Sequence, residues 1–168
     1  MTIIKRISYL ALHVFICVGC DQATKSAAQQ YLLGQEPVAF LSGLLHFKYA
    51  ENPGAFLSLG ATLAPETRAQ IFIIAVSLLL TCLLAYIVYN IVNNVVDEPS
   101  LLTIALTFYL AGGLGNLIDR FMNDGHVIDF MIMRVGRLQT GIFNVADMLI
   151  MLGVGLLLFA QLKQKPLL

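Results

Sequence analysis

Four long stretches of apolar residues, separated by polar segments, dominate the pattern of this sequence. A helix needs about 20 mostly apolar residues to cross the hydrocarbon core of a bilayer, which is about 30 Å thick. The pattern therefore predicts four membrane-spanning helices within one membrane domain that covers residues 1–168. The spans are predicted at about residues 7–25, 68–94, 101–119 and 142–162.

The polar segment between the first two spans carries the two-residue period of a half-buried strand. In the stretch LLHFKYAEN the alternation would place two sets of side chains on opposite faces, namely Leu45, Phe47 and Tyr49 against His46, Lys48 and Ala50. Ser42-Gly43 supplies a turn before this strand. Residues 37–41 offer a partner strand, and residues 55–59 offer a third short run. We therefore expect a small antiparallel sheet, at about residues 36–60, on the outer surface of the membrane.

The composition supports a membrane protein and limits the kinds of partner and cofactor that we expect. Hydrophobic residues make up 58% of the 168 residues, charged residues make up only 12%, and the formal net charge is zero. No basic arm is present, so we expect no nucleic-acid partner. The three histidines are scattered and no metal-binding motif occurs, so we expect neither a metal nor a cofactor.

The charges at the two ends of the chain predict its orientation. An even number of spans places both termini on one side, and the four cations Lys5, Arg6, Lys163 and Lys165 predict that this side is the cytoplasm. The short loop between the second and third spans opposes this orientation, because it carries two acids and no cation. With the termini in the cytoplasm, residues 120–141 form a loop on the outer side.

Polar residues collect at the predicted outer ends of the spans. The end of the third span and the start of the fourth each place polar residues three or four positions apart, which is one face of a helix. Gly112, Gly113 and Gly115 would let a neighbouring helix approach the same region closely. The cluster contains four carboxylates, two amides and two cations: Asp21, Asp119, Asp129, Asp147, Asn116, Asn144, Lys25 and Arg120.

Ionisable groups at membrane depth are costly and commonly mark a functional site. A structural network is the alternative, in which Asp21 pairs with Lys25 and Asp119 pairs with Arg120 or another nearby cation. That network leaves Asp129 and Asp147 without a cation. Two such carboxylates can share one proton, which is the arrangement of aspartic peptidases. A proton- or ion-coupled transporter is a further alternative. The clustering at one membrane face and the absence of an inverted repeat count against it.

Five motifs, in order along the chain, resemble those of the bacterial lipoprotein signal peptidase family (signal peptidase II). Asp21-Gln-Ala-Thr-Lys25 resembles the family's D-x-x-[ST]-K, and residues 51–55 resemble its E-N-x-G-A segment. Residues 112–120 resemble the glycine-rich segment that ends in N-x-x-D-R. Residues 125–130 resemble G-x-V-x-D-F, and residues 143–147 resemble F-N-x-A-D. One departure is Phe56-Leu57, where the family more often has Ala-Phe.

The resemblance implies a fold and a reaction. The fold is four membrane helices with a β-cradle and a short helix on the outer face. The reaction is aspartic endopeptidase cleavage of a prolipoprotein N-terminal to a cysteine that carries a diacylglyceryl group. The catalytic pair falls on Asp129 and Asp147, and site-bracing or substrate-binding roles fall on Asp21, Lys25, Asn52, Gly54, Asn116, Asp119, Arg120 and Asn144. We expect a monomer in the bacterial inner membrane, in contact with membrane lipid, with its active site near the outer face.

Overall fold

The computed structural model describes residues 2–54, 63–93 and 100–164. These residues form four long helices: α1 (Ile3–Leu32), α2 (Pro65–Asn93), α3 (Leu101–Met122) and α4 (Val145–Gln164). By length and composition, each of the four is able to cross a membrane. The mainly α-helical, four-helix membrane fold predicted from the sequence is therefore confirmed.

Local sequence explains where three of these helices begin. Thr2 and Ser100 cap α1 and α3, because each hydroxyl accepts a hydrogen bond from the backbone N–H three residues later. Pro65 opens α2, where its fixed φ and missing N–H suit the first helical position. Glu66 follows it and lies favourably near the positive end of the helix dipole.

A small antiparallel sheet accompanies the helices, as the sequence predicts. Within the described residues its strands follow the order β1 (Val38–Phe40), β2 (Leu45–Asn52), β3 (Val127–Val135) and β4 (Leu138–Gln139). A short 3₁₀ helix, Leu41–Gly43, joins β1 to β2. The run at residues 55–59, expected as a further strand, lies outside the described residues, as does the departure at Phe56-Leu57.

The segment 120–141 differs from the loop that we expected, because it contains both β3 and β4. The first five residues of β3 are all buried, so its sequence lacks the polar–apolar alternation that identifies a half-exposed strand. A short apolar run of this kind gives no strand signal by period alone.

A β-bulge in β2 corrects the predicted alternation of faces. Phe47 pairs with Met131, whereas Ala50 pairs with Asp129. Between these two pairs, β2 advances by three residues and β3 by only two. Lys48 and Tyr49 form the bulge. Ala50 therefore lies on the same face as Phe47, not on the opposite face. Asn52, two residues later, lies on this face as well, which is the face that carries Asp129.

Three glycines of α3 allow close contact with three different helices. A Cβ atom at Gly112 would collide with the carbonyl of Ala146 in α4, and one at Gly113 would collide with the side chain of Leu80 in α2. A Cβ atom at Gly115 would collide with the carboxylate of Asp21 in α1. The close helix approach predicted from these small residues is confirmed, and α3 is the helix against which the other three pack.

We expect Gly112→Ala to lower the stability of the protein by about 1–3 kcal/mol, because the new methyl group would meet backbone in α4. Gly155→Ala in α4 is the matched control, since no atom lies within 4 Å of its added Cβ. The control should be neutral or slightly stabilising, because alanine favours a helix over glycine. Thermal unfolding in detergent measures both, and equal melting temperatures would contradict the close contact.

Candidate active site

Asp129 is a buried carboxylate on β3 that accepts two amide hydrogen bonds. Its side chain is only 1% exposed. Asn52 Nδ2 donates to Oδ2 at 3.0 Å, and Asn144 Nδ2 donates to Oδ1 at 2.7 Å. Asn52 reaches this carboxylate from the end of β2 because the bulge has turned it to the face that carries Asp129.

Asp147 lies in the first turn of α4 and forms a reciprocal cap with Asn144. The Asp147 backbone N–H donates to Asn144 Oδ1 at 3.0 Å, and the Asn144 backbone N–H donates to Asp147 Oδ2 at 3.2 Å. This is the capping-box geometry, built here from Asn and Asp, and it satisfies two backbone donors at the start of α4. The other carboxylate oxygen of Asp147, Oδ1, accepts a hydrogen bond from Asn116 Nδ2 at 3.0 Å.

Asn144 therefore binds both acids, and it is fully buried between them. Its side-chain amide donates to Asp129 and its backbone N–H donates to Asp147. The same amide nitrogen also lies 3.2 Å from the Ile128 carbonyl and 3.1 Å from Asn116 Oδ1. The separation of the two acids is thus set by one residue and by the helix start that it caps.

Lys25 is a buried cation that binds two other carboxylates. Its Nζ lies 2.8 Å from Asp21 Oδ2 and 2.9 Å from Asp119 Oδ2, and all three side chains are at most 2% exposed. Lys25 Nζ also donates to Asn116 Oδ1 at 2.9 Å. Because lysine can only donate, this bond fixes the orientation of the Asn116 amide and turns its NH₂ group toward Asp147.

The two carboxylates held by Lys25 are also bound to backbone from other elements. Asp21 Oδ1 accepts from the Ala146 N–H at 2.8 Å, and Asp119 Oδ2 accepts from the Ile128 N–H at 2.9 Å. These bonds tie α1 and α3 to α4 and β3. Asp21 and Asp119 are therefore joined through Lys25 in one network, and Asp119 takes Lys25 as its cation, which answers the question of pairing that the sequence left open.

Sequence reasoning missed Gln22. Its Nε2 donates to Asp119 Oδ1 at 2.9 Å and to the Gly115 carbonyl at 3.1 Å, so it joins the same network. The available signal was a side-chain amide inside the predicted span 7–25, where a polar group needs a partner.

Gly54 and Arg120 lie at the edge of this network. The Gly54 backbone N–H donates to Asn52 Oδ1 at 3.2 Å, which orients the Asn52 amide so that its NH₂ group faces Asp129. Arg120 Nη1 donates to the Asn116 carbonyl at 3.0 Å. Its buried Nε has no hydrogen-bond partner among the residues that the structure describes.

Burial raises the pKa of the Asp129 carboxyl from its ordinary value to about 6. The hydrogen bond from Asn52 opposes this effect by stabilising the charged form, and the negative charge of nearby Asp147 adds to it. The bond from Asn144 and the positive charge of Lys25 also lower this pKa. Asp129 is therefore a carboxyl group that can hold a proton at a pH where an ordinary aspartate is ionised.

Comparison with known proteins identifies the family of this chain. The family model described as Signal peptidase (SPase) II matches residues 13–163. The chain belongs to the signal peptidase II family.

Similar proteins from diverse bacteria carry the name lipoprotein signal peptidase. One from Nostoc punctiforme is 34% identical over 167 residues, covering 99% of this chain and 96% of its relative. One from Syntrophus aciditrophicus is 35% identical over 145 residues, covering 86% of each chain. One from Streptococcus pneumoniae is 30% identical, covering 96% of this chain and 97% of its relative.

Two solved structures share the fold, and both are described as a bacterial membrane enzyme structure obtained by the in meso method. The first has a TM-score of 0.77 at 26% identity and covers 95% of this chain and 96% of that one. The second has a TM-score of 0.73 at 25% identity and covers 96% of each. This signal peptidase II family member is therefore a multi-pass membrane peptidase, and nothing among its relatives favours the transporter alternative.

Proposed function

We propose that Asp129 and Asp147 are the catalytic pair of this aspartic peptidase. The observation that carries the proposal is that Asn144 hydrogen-bonds both carboxylates. The ion pairs of the described residues instead join Lys25 to Asp21 and Asp119. The protein thus separates two carboxylates that share the cation of Lys25, and that brace the site, from two that keep a proton or a charge for chemistry.

The chemistry needs one acid and one base. One carboxylate removes a proton from a water molecule, which attacks the scissile carbonyl carbon, while the protonated partner donates to the carbonyl oxygen. The raised pKa of Asp129 supports a pair that holds a single proton between its two members. The amides of Asn52, Asn116 and Asn144 orient the carboxylates and leave this proton on the pair, because neutral amides do not titrate.

We further propose that the substrate is a prolipoprotein whose cysteine carries a diacylglyceryl group, cut on the N-terminal side of that cysteine. A lipid-modified cysteine is held at the membrane surface by its acyl chains, so the acids must be brought to that depth. This depth, together with the cations Lys5, Arg6, Lys163 and Lys165 at the two ends of the chain, supports an active site near the outer face of the inner membrane, with both termini in the cytoplasm. We propose that residues 1–168 form a single membrane domain that works as a monomer surrounded by lipid.

The substrate proposal is tested with one prolipoprotein in two forms, with and without the diacylglyceryl group on its cysteine. Purified protein in detergent should cut the modified form and release a fragment whose mass places the cut directly before the cysteine. We expect the unmodified form to be cut at least about 100-fold more slowly, since remote binding energy is used to position the peptide bond. Equal rates would exclude lipid recognition, and a cut elsewhere would exclude the assigned bond.

The pH dependence of the reaction should respond to Asn52. Activity falls as the pH rises through the upper apparent pKa of the pair, because the pair then loses its proton. The Asn52 hydrogen bond stabilises the charged form of Asp129. Its removal in Asn52→Ala should therefore raise this pKa and move the alkaline limb of kcat/KM upward by about one pH unit.

Asn123→Ala is the matched control, since it changes the same residue type in the turn before β3. It should leave the alkaline limb in place. A limb that stays fixed in Asn52→Ala, or one that moves to lower pH, would show that Asn52 does not act on the charge of the pair.

A further inference from the structure

The start of α2 lies against the end of the sheet that is next to the active site. None of the acids and amides of the site lies on α2. Asn52 at the end of β2 pairs with Val127 at the start of β3, so these two strand ends lie at the same end of the sheet. Gly54 follows the first strand and Gly125 precedes the second. Both glycines are buried, and both lie against side chains of α2.

Gly125 is in close contact with Ala69 of α2. A Cβ atom at Gly125 would collide with the Cβ atom of Ala69, and Gly125 has a φ of +88°, in the left-handed region that favours glycine. The Gly125 N–H also donates to the Arg120 carbonyl at 2.9 Å. The turn that leads into β3 is therefore held by α3 on one side and by α2 on the other. Asp129 lies on the strand that begins after this turn.

Gly54 is covered by two further side chains of α2. A Cβ atom at Gly54 would lie 3.4 Å from Phe72 Cε2 and 3.5 Å from Arg68 Cδ, which is ordinary van der Waals contact. The buried Nε of Arg68 has no hydrogen-bond partner among the residues that the structure describes, so this atom contributes only packing. The stem of Arg68 and the ring of Phe72 therefore form a wall beside the turn whose N–H donates to Asn52 Oδ1.

The two contacts with α2 act on one hydrogen bond from both of its ends. Asn52 Nδ2 donates to Asp129 Oδ2 at 3.0 Å, and this bond joins the end of β2 to β3. Its length depends on where the backbone on each side is held. A shift of about half an ångström is enough to weaken it, since hydrogen bonds of this kind are about 2.7–3.2 Å long.

From these contacts we propose that the start of α2 is a positioning element for the catalytic pair, in which Arg68 and Ala69 hold the two glycine turns so that Asn52 stays bonded to Asp129. This inference rests on the catalytic pair proposed above. Arg68 and Ala69 are positioning residues, because they act on the acids only through the turns that they contact. Displacement of either turn would change the protonation of Asp129 without a change to any acid or amide of the site.

The test compares changes at neighbouring positions of α2. Ala69→Leu forces a larger side chain against the Gly125 turn, and Gln70→Leu is the matched control, since Gln70 is exposed. Arg68→Ala removes the wall beside Gly54, whereas Arg68→Met keeps most of the stem and removes the charge. Each protein is assayed with the modified prolipoprotein for kcat, KM and pH dependence. Melting temperatures in detergent show which variants are folded, and Arg68→Ala carries the test alone if Ala69→Leu is not.

We expect Ala69→Leu and Arg68→Ala to lower kcat at least about tenfold with KM little changed, because catalysis is sensitive to displacements of about 1 Å. The alkaline limb of kcat/KM should move upward by about half a pH unit, since Asn52 then stabilises the charged form of Asp129 less. Arg68→Met and Gln70→Leu should remain close to wild type. In the Asn52→Ala protein, Arg68→Ala should add no further shift, because the bond is already absent.

These variants leave in place the charges that act on Asp129, namely Asp147 of α4, Lys25 of α1 and Arg120 of α3. An alkaline limb that stays fixed while the melting temperature falls would show that the contacts serve stability alone, and would overturn the proposal. A full shift in Arg68→Met would do the same, because it would assign the effect to the charge. Additive shifts in the double variant would also contradict it.

The titration of the Asp129 carboxyl, followed by its ¹³C chemical shift in detergent, repeats the comparison without a substrate. The titration midpoint should rise in Arg68→Ala and Ala69→Leu and stay in place in Gln70→Leu. If wild type never cuts the prolipoprotein, the proposed function fails, and this titration still decides the inference about α2. An unchanged midpoint in both Arg68→Ala and Ala69→Leu would overturn that inference, whatever the activity.

Discussion

Asp129→Asn should reduce kcat for prolipoprotein cleavage by about 10³-fold, because an amide can neither accept nor deliver the proton at this position. Geometry adds to the loss. Both oxygens of Asp129 accept from amide NH₂ groups, so an Asn side chain would place its own NH₂ group against either Asn52 or Asn144. Asp147→Asn should give a loss of the same order, since the two acids act as a unit.

Asp124→Asn is the control for these variants. It makes the same change to an exposed carboxylate five residues before Asp129, and it should retain wild-type rates. Initial rates with purified protein, together with melting temperatures, separate lost chemistry from lost folding. If either Asp129→Asn or Asp147→Asn kept near-wild-type activity, that residue would be structural, and catalysis would have to be reassigned to Asp119 or Asp21.

Lys25→Met should destabilise the protein by about 3–5 kcal/mol, because it leaves two buried carboxylates without their cation. Activity should fall as well, since the Asn116 amide loses the donor that fixes its orientation toward Asp147. Thermal unfolding and cleavage rates measure the two effects separately.

Lys48→Met is the matched control, because Lys48 is exposed in the bulge of β2. It should change the melting temperature little. The double variant Lys25→Met/Asp119→Asn should recover part of the stability, because it removes one of the two uncompensated charges. A Lys25→Met protein as stable as the control would contradict a structural role for the buried ion pairs.

Spacing along single elements was enough to predict much of the site. Intervals of three and four residues placed Asn116 with Asp119, and Asn144 with Asp147, on shared helical faces. The pattern could not show how the helices rotate against one another. Whether Asp119 meets Lys25 or Arg120 depends on that rotation, which the close contact at Gly115 sets through packing.

The sheet also has a feature that the sequence pattern could not predict. The alternation of polar and apolar residues predicted that β2 is a strand. It could not predict the bulge, because the extra residue leaves no recognisable change in that alternation. That single extra residue decides which face carries Asn52, and so decides that Asn52 reaches Asp129. The resemblance to a known family supplied Asn52 as a site residue, whereas periodicity alone would have pointed it the other way.

The contact between Asp21 and Ala146 joins the first membrane helix to the last across 125 residues of sequence. During synthesis, therefore, the first helix must enter the bilayer long before its partner in α4 exists. The ion pair between Asp21 and Lys25, one turn apart on α1, leaves the predicted span 7–25 without net charge as it enters. The hydrogen-bonded group of Asp129, Asn144 and Asp147 is therefore complete only once the fourth helix is in place.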